Sequence, residues 1–581
     1  MTELSLDTPT DTPTDAPTDT PTDAPTDTPT DAPTDAPPIP DLLSLKAAVR
    51  VKVDELRQDL VFAFATRGAS DVFERALEEA RLPASRWDRA CFARDLFLED
   101  LVKRALPVRA EGRGYAPCLP YLLRVITSPP EDRAVVTFRR AILDELAGSE
   151  ARRAELEKAY VAILRLRQML CAGRLATARG RRLEILRAAH GAFEALAGSF
   201  EGATSGLGRL RAFGQAVRAS AAYRRLDALL DHDQHLGTVD VQVSVGADGE
   251  LRSFKVLAIR ENASNPFYTS PVGRFFKRVM LFFRGYRMNG DEVAERLLDD
   301  VFTGLEEPIA LLFQALGDME VYLGALGLRD NARAKGLAVC LPELVERSEE
   351  GMDVEGLFNP LLLGGKATPV PCTLHTEGGS VVVVTGPNSG GKTRLLQSIA
   401  LTQLLGQVGL FVPARAARLP VVSGLFVSLI EEARADQPEG QLGMELMRIR
   451  RMFEEISVGA LVLLDELCSG TNPSEGEEIA RLVISLLPEL ETQVFITTHL
   501  LQLAEHLASE RPIERLGFLQ VELDAREQPT YGFVPGVARS SLAHKTAARL
   551  GVTRDELLAL IATKRYTTGH RAAAAEPRET R

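Results

Sequence analysis

The stretch that most constrains this chain is "VVVVTGPNSGGKTRLLQSIA", residues 381–400. An apolar run stops at Thr385, turns through glycines and restarts with helical spacing. Gly386, Pro387, Asn388, Ser389, Gly390, Gly391, Lys392 and Thr393 fit the pattern G-x-x-x-x-G-K-[ST]. Glycines there let backbone N–H groups converge on phosphate oxygens where a side chain would clash, and the helix opening near Lys392 directs its positive end at the same anion. Lys392 is expected to reach the β- and γ-phosphates of a nucleotide, and the Thr393 hydroxyl to hold Mg²⁺. A buried strand before the loop and a helix after it give the pattern its meaning.

The surrounding sequence repeats that texture. "SVVVVTG" (380–386), "VVSGLFVSLI" (421–430), "ALVLLDEL" (460–467) and "TQVFITTH" (492–499) read as buried parallel strands. Between the last two, Ile479, Leu482, Val483, Leu486, Leu487 and Leu490 follow helical spacing. A phosphate loop needs an acid on a neighbouring strand, and "LVLLDEL" supplies Asp465 and Glu466 after four apolar residues. Asp465 is expected to support Mg²⁺ and Glu466 to orient and deprotonate an attacking water. His499, ending the next strand, is a candidate sensor of the γ-phosphate; taken alone, a strand-end histidine is more often structural.

At 581 residues the chain exceeds one ordinary core, so several domains are expected. The fold class is multidomain: a mostly α-helical region with a small β-hairpin, followed by an α/β P-loop domain. The expected divisions are an Asp-x-Pro-Thr repeat tail over 1–40, a helical extension over 41–115, a helical core over 116–355 with a hairpin at 238–259, the P-loop domain over 356–530, and a C-terminal helical segment over 531–581. The hairpin rests on alternating Val239, Val241, Val243 and Val245 before the "GADG" turn. The tail has almost nothing to bury and reads as a disordered acidic spacer. It holds Glu3 and eight aspartates, which leaves 71 of the 80 acidic residues against 68 basic ones in the rest of the chain. A nucleic-acid footprint would therefore be a local patch. "GRFFKRVMLFFRGYR" (273–287) is one candidate, read either as a DNA or RNA contact or as a helix burying its phenylalanines; "RLATARGRRLEILR" (174–187) reads as a solvated face and "DHDQH" (231–235) as a polar helix end. Six scattered cysteines without a CxxC pair argue against a disulfide framework or zinc site and fit a reducing, cytoplasmic setting. No signal peptide is recognised, and no apolar run reaches the ~18 residues needed to span a bilayer.

"TGPNSGGKT", "GLFVPA" (409–414), "LVLLDELCSGTNPSEG" (461–476) and "TTHLLQL" (497–503), in that order and spacing, resemble the ATPase domain of the MutS family. The resemblance implies a Walker A loop at Gly386–Thr393, a Walker B pair at Asp465 and Glu466, a partner-facing loop at Ser469–Gly476 and a switch histidine at His499. More weakly, 128–146 looks like the start of the family's helical lever and 535–552 like the segment closing its ATPase domain. Three departures stand out. Only about 75 ordered residues (41–115) precede the lever, too few for the family's mismatch-reading and connector domains. The DNA-gripping clamp is reduced to the hairpin. The stretch matching the signature segment, "PEGQLGMELMRIRRMF" (438–453), has no serine or threonine; Gly440 or Leu442 stands where the family's serine reaches across the dimer. The resemblance thus implies an ATP- and Mg²⁺-dependent ATPase that closes as a homodimer on duplex or branched DNA, without strong mismatch preference. The alternative is a nucleotide-switched scaffold or an RNA- or ribosome-associated factor. An ABC transporter subunit fits less well, for want of that class's signature and given the long helical N-terminal half.

Overall fold

The computed structural model describes residues 38–66, 71–171, 178–235, 238–245, 251–260, 298–347, 350–429, 441–468, 472–539, 552–561 and 563. The repeats up to Pro37, the aromatic-basic stretch 273–287 and most of 535–552 lie outside them, as do the side chains of 231–235.

After an irregular stretch over 38–52 come helices α1 (Val53–Ala65) and α2 (Val72–Glu78). A short antiparallel pair, β1 (Val108–Ala110) and β2 (Arg113–Tyr115), precedes α3 (Leu119–Ile126), α4 (Arg133–Gly148), α5 (Glu150–Cys171), α6 (Ala178–Ala197), α7 (Gly208–Ala219) and α8 (Ala221–His235). The expected hairpin is present as β3 (Thr238–Val245) and β4 (Leu251–Arg260), paired antiparallel. The organising element of this half is α9 (Glu306–Ala334), a 29-residue helix against which α1, α2, α3, α5 and β1 all pack. It is buried on every face from Ile309 to Leu328. By length and composition it is apolar enough to cross a bilayer, yet its apolar stretch lies wholly inside the core. Gln314, Asp318 and Glu320 break its apolar run in sequence, which is why the run length alone did not reveal it.

Gln314 and Asp318 explain a second difference from expectation. Residues 41–52, expected to be helical, form an irregular, bent segment beside α9 and are pinned to it by buried polar contacts. The Gln314 carbonyl oxygen accepts from Arg50 N at 2.7 Å, and Asp318 accepts from Leu42 N at 3.0 Å. The Arg50 guanidinium meets both Asp318 oxygens, Asp41 at 3.1 Å and the Tyr121 hydroxyl at 2.6 Å. Asp318 and Asp41 raise the Arg50 pKa well above its usual value against the pull of burial, so the cation persists.

Helices were expected to continue to Glu349, but α9 ends at Ala334 and strands follow. These are β5 (Glu343–Val345), β6 (Glu350–Leu357) and β7 (Cys372–Glu377), then β8 (Val381–Thr385), α10 (Lys392–Val408), β9 (Ala416–Pro420), β10 (Leu425–Ser428), α11 (Gln441–Glu455), β11 (Leu461–Leu464), α12 (Pro473–Leu486), β12 (Gln493–Thr497), α13 (Leu501–Glu510), β13 (Leu516–Leu523) and β14 (Pro529–Pro535). One sheet runs β5-β9-β6-β7. The larger runs β10-β11-β12-β8-β13-β14, parallel except for its last pair. The fold is therefore a helical region joined to an α/β layer, as the sequence pattern implied. Strand β6 runs through the expected 355/356 division.

Strands β8, β11 and β12 are buried at every position, as unbroken Val/Ile/Leu runs require when both sheet faces are covered. The strand expected over 421–430 is shorter, Leu425–Ser428; upstream, Gln407 of α10 binds Val422 through both its N–H and its C=O. Helix α12 buries Gly476, Ala480, Val483 and Ile484, leaving Leu482 and Leu486 exposed.

Candidate active site

Four parallel strands end together, so Ser428, Leu464, Thr497 and Thr385 share one sheet edge. The glycine loop leaves that edge after β8 and folds under β13. A Cβ on Gly386 or on Gly390 would lie 2.7 Å from the Val521 Cγ2, so both positions exclude side chains. Gly386 and Gly391 also take positive φ, 136° and 89°. Gly390 N donates to Pro387 O at 2.9 Å, closing the turn, while Asn388 and Ser389 are exposed at its tip.

Lys392 opens α10 and is 4% exposed. Its Nζ donates to Gly386 O at 3.1 Å and Pro387 O at 3.3 Å, inside the curve of the loop. Burial lowers its pKa, while Glu466 and Asp465 pull the other way. A desolvated cation curled beneath backbone amides is a good receptor for phosphate oxygens.

The sequence places Asp465 on a strand neighbouring the loop strand, but β12 intervenes between β11 and β8. Asp465 still reaches the loop: the Thr393 Oγ1 donates to its Oδ2 at 2.5 Å. From the intervening strand, Thr497 gives its hydroxyl proton to the other Asp465 oxygen and accepts from Glu466 N at 3.0 Å. Thr497 was not singled out from sequence, although a hydroxyl residue ending the strand between two functional loops was the signal available. A hydroxyl and a carboxylate oxygen converging beside a buried lysine form a hard oxygen donor set that suits Mg²⁺. Glu466 follows with φ of 50°, a left-handed conformation uncommon outside glycine. His499 lies two residues beyond β12, half-buried at the same edge.

Residues 441–453 of the serine-free stretch form the body of α11, whose Glu445 carboxylate accepts from Cys468 N at 3.0 Å. Gly440 and Ser469–Thr471 lie outside the described residues, while Asn472 caps α12 by accepting from Ser474 N. All six cysteines are free. Among the described residues no group of three or more His, Cys, Asp or Glu side chains is placed to hold a metal ion.

Residues 382–557 match the family model for MutS domain V. The chain is 30% identical over 273 residues to an endonuclease MutS2 of Thermus thermophilus, covering 47% of this chain and 35% of that protein. It is 34% identical over 199 residues to the Thermomicrobium roseum protein of that name, covering 34% of this chain and 25% of the relative. For the one from Gemmatimonas aurantiaca the figures are 31% over 293 residues, 49% and 35%. The chain thus spans between a quarter and about a third of the length of these relatives.

Proposed function

We propose, on the match of residues 382–557 to MutS domain V, that this chain is a MutS-family ATPase that binds ATP with Mg²⁺ at the glycine loop and couples hydrolysis to closure of a homodimer on DNA. The observation that carries this reading is the Thr393–Asp465 contact at 2.5 Å, which joins the loop to the acid pair across an intervening strand. In this reading Lys392 and the loop amides of Gly386–Gly391 hold the phosphates. Thr393 and Asp465 hold Mg²⁺, which supplies neutralisation of developing phosphate charge. Glu466 orients the attacking water and takes its proton, and His499 senses the γ-phosphate from the adjoining edge.

The DNA and dimer parts rest on family membership. The name endonuclease belongs to the longer relatives and is not carried over. Among the described residues of 41–115, α1, α2 and β1 pack on α9, while Asp95 accepts from Leu429 N next to β10 and Cys91 lies against Glu455 of α11; in this reading they are built into the two halves and offer no separate element for reading a mismatch. Contacts to phosphates position a protein without specifying bases.

The test is turnover of Mg-ATP by wild type and by Glu466→Ala. The variant should bind ATP and fail to hydrolyse it, and light scattering should then report a dimer at micromolar concentration. Wild-type turnover in Glu466→Ala would overturn the general-base role, and a monomer under those conditions would overturn the dimer. Titrations at matched salt on duplexes differing by one G·T pair should agree; a tenfold preference, about 1.4 kcal/mol, would mean that 41–115 reads mismatches after all.

A further inference from the structure

Behind the acid pair lies a second set of contacts made by α11. The Arg448 Nε donates to the Ser428 hydroxyl at 2.8 Å, and its Nη2 to Ser428 O at 3.1 Å. The same Ser428 oxygen accepts from Asp465 N at 2.9 Å, and Arg448 Nη2 also lies 3.4 Å from Asp465 O. One guanidinium thus grips Asp465 from behind through its main chain, while Thr393 and Thr497 grip its carboxylate in front. Arg448 Nη1 is 3.6 Å from the Glu445 Oε1, the oxygen that accepts from Cys468 N at 3.0 Å. Both side chains are largely buried, 21% and 8% exposed.

The turn they hold needs holding. Glu466 and Cys468 both take left-handed φ, 50° and 61°. Non-glycine residues persist there when the surroundings over-determine them. Glu466 N is fixed by Thr497, and Cys468 N by Glu445. We propose that Arg448, through Glu445 and the carbonyls of Ser428 and Asp465, is a positioning residue that keeps the Asp465–Cys468 turn in the shape from which the Glu466 carboxylate meets water. It thereby ties α11 to the hydrolytic step. The inference rests on the reading of Glu466 as general base. Without Arg448, Glu445 loses the ion partner it has among the described residues, and the turn loses the guanidinium contacts to Ser428 and Asp465 that brace it from behind. The glycine loop and Lys392 are untouched, so nucleotide binding remains.

The experiment measures kcat and, separately, equilibrium affinity for Mg-ATP in Arg448→Gln, Arg448→Lys and Glu445→Gln, with Tm for each. Arg448→Gln should lower kcat roughly 10–100-fold, the scale of a small misplacement of a reacting group, with ATP affinity within about threefold of wild type. Arg448→Lys, which keeps a cation near Glu445, should recover part of the loss. Glu445→Gln should act in the same direction. The double variant should be no slower than Arg448→Gln alone, because the two side chains work through one turn. Should Arg448→Gln fail to fold, Arg448→Lys and Glu445→Gln carry the same test. Wild-type kcat in Arg448→Gln, or loss of affinity in step with Tm, would overturn the positioning role. If wild-type protein itself does not hydrolyse ATP, the hydrolysis reading fails and this inference with it. If wild type hydrolyses and Arg448→Gln matches it, only this inference fails.

Discussion

Glu320 should make the protein less stable as pH rises from acid to neutral, and Glu320→Gln should remove that dependence. The carboxyl sits fully buried at the middle of α9, where Cys118 N donates to it at 2.8 Å and the Tyr160 hydroxyl at 3.3 Å. Burial raises its pKa from 4.5 to about 7, against the stabilising pull of the Cys118 N–H and Arg167 on the carboxylate. In the unfolded chain the group ionises near 4.5; in the folded protein it keeps its proton to about 7. The folded state therefore binds more protons across that window. Its relative stability is fully present below pH 4.5, is lost as pH rises through 7, and is constant above. Moving ionisation from 4.5 to about 7, at about 1.36 kcal/mol per pH unit, amounts to about 3 kcal/mol. An amide in the same place is neutral at every pH, can still accept from Cys118 N, and can donate to the Tyr160 oxygen. The assay is urea unfolding of wild type and Glu320→Gln at intervals from pH 4.5 to 8.5. Taking the difference between the two cancels every other titrating group. The variant should gain about 3 kcal/mol relative to wild type between the ends of that range. A difference that is flat with pH would refute the argument, because it would mean that Glu320 titrates alike in both states.

Arg50→Met should destabilise the fold by about 3–5 kcal/mol, since Asp41 and Asp318 stay buried without their cation; urea midpoints at pH 7 measure it, and Arg50→Lys should rescue little because it lacks the fork. Gly327→Ala should cost about 1–3 kcal/mol, because its Cβ would lie 2.1 Å from Pro107 O, whereas Gly148→Ala, with nothing within 4 Å, should be neutral or stabilising by thermal melting. Lys392→Ala should weaken ATP binding by roughly 10–100-fold in an equilibrium titration. The same substitution should hold or raise Tm, since it removes a cation kept desolvated for binding.

The α/β half was legible because its signals are local. The loop from Gly386 to Thr393 and the "DE" after an apolar run each declare themselves within ten residues, and a parallel strand buried on both faces has few ways to be written. What sequence hid was long-range. Asp465 and Thr393 are 72 positions apart, and the strand between them belongs to neither motif. Thr497, Arg448 and Glu445 take part through hydrogen bonds whose partners lie 17 to 32 residues away, and no short pattern marks them. The irregular run over 41–52 carries a helical pattern in sequence, yet its order comes from α9, more than 260 residues downstream. The β5-β9-β6-β7 sheet escaped because its short strands are only partly buried and lack a clean alternation.

The geometry also bears on how a nucleotide could be felt in the helical half. Helix α10 begins at the phosphate loop and runs 17 residues, about 25 Å at 1.5 Å per residue. At its far end Arg139 of α4, itself fully buried, donates to Val408 O at 3.0 Å and to Leu43 O at 3.1 Å. A cation at the C-terminus of a helix complements its dipole, and here the cation belongs to a different element. Gly409 follows with φ of 93°, packed so closely that a Cβ would touch Val136 O and the Arg139 Cβ at 3.1 Å. A buried guanidinium cannot drop either carbonyl without leaving a donor unsatisfied, at a cost of about 1–3 kcal/mol. That cost opposes displacement of α10 along its axis unless α4 and the 41–52 segment move with it, and that segment is laced to the middle of α9 through Arg50, Gln314 and Asp318. The coupling needs no flexible relay: a rigid rod from the glycine loop ends in a buried cation that three separate stretches of chain share.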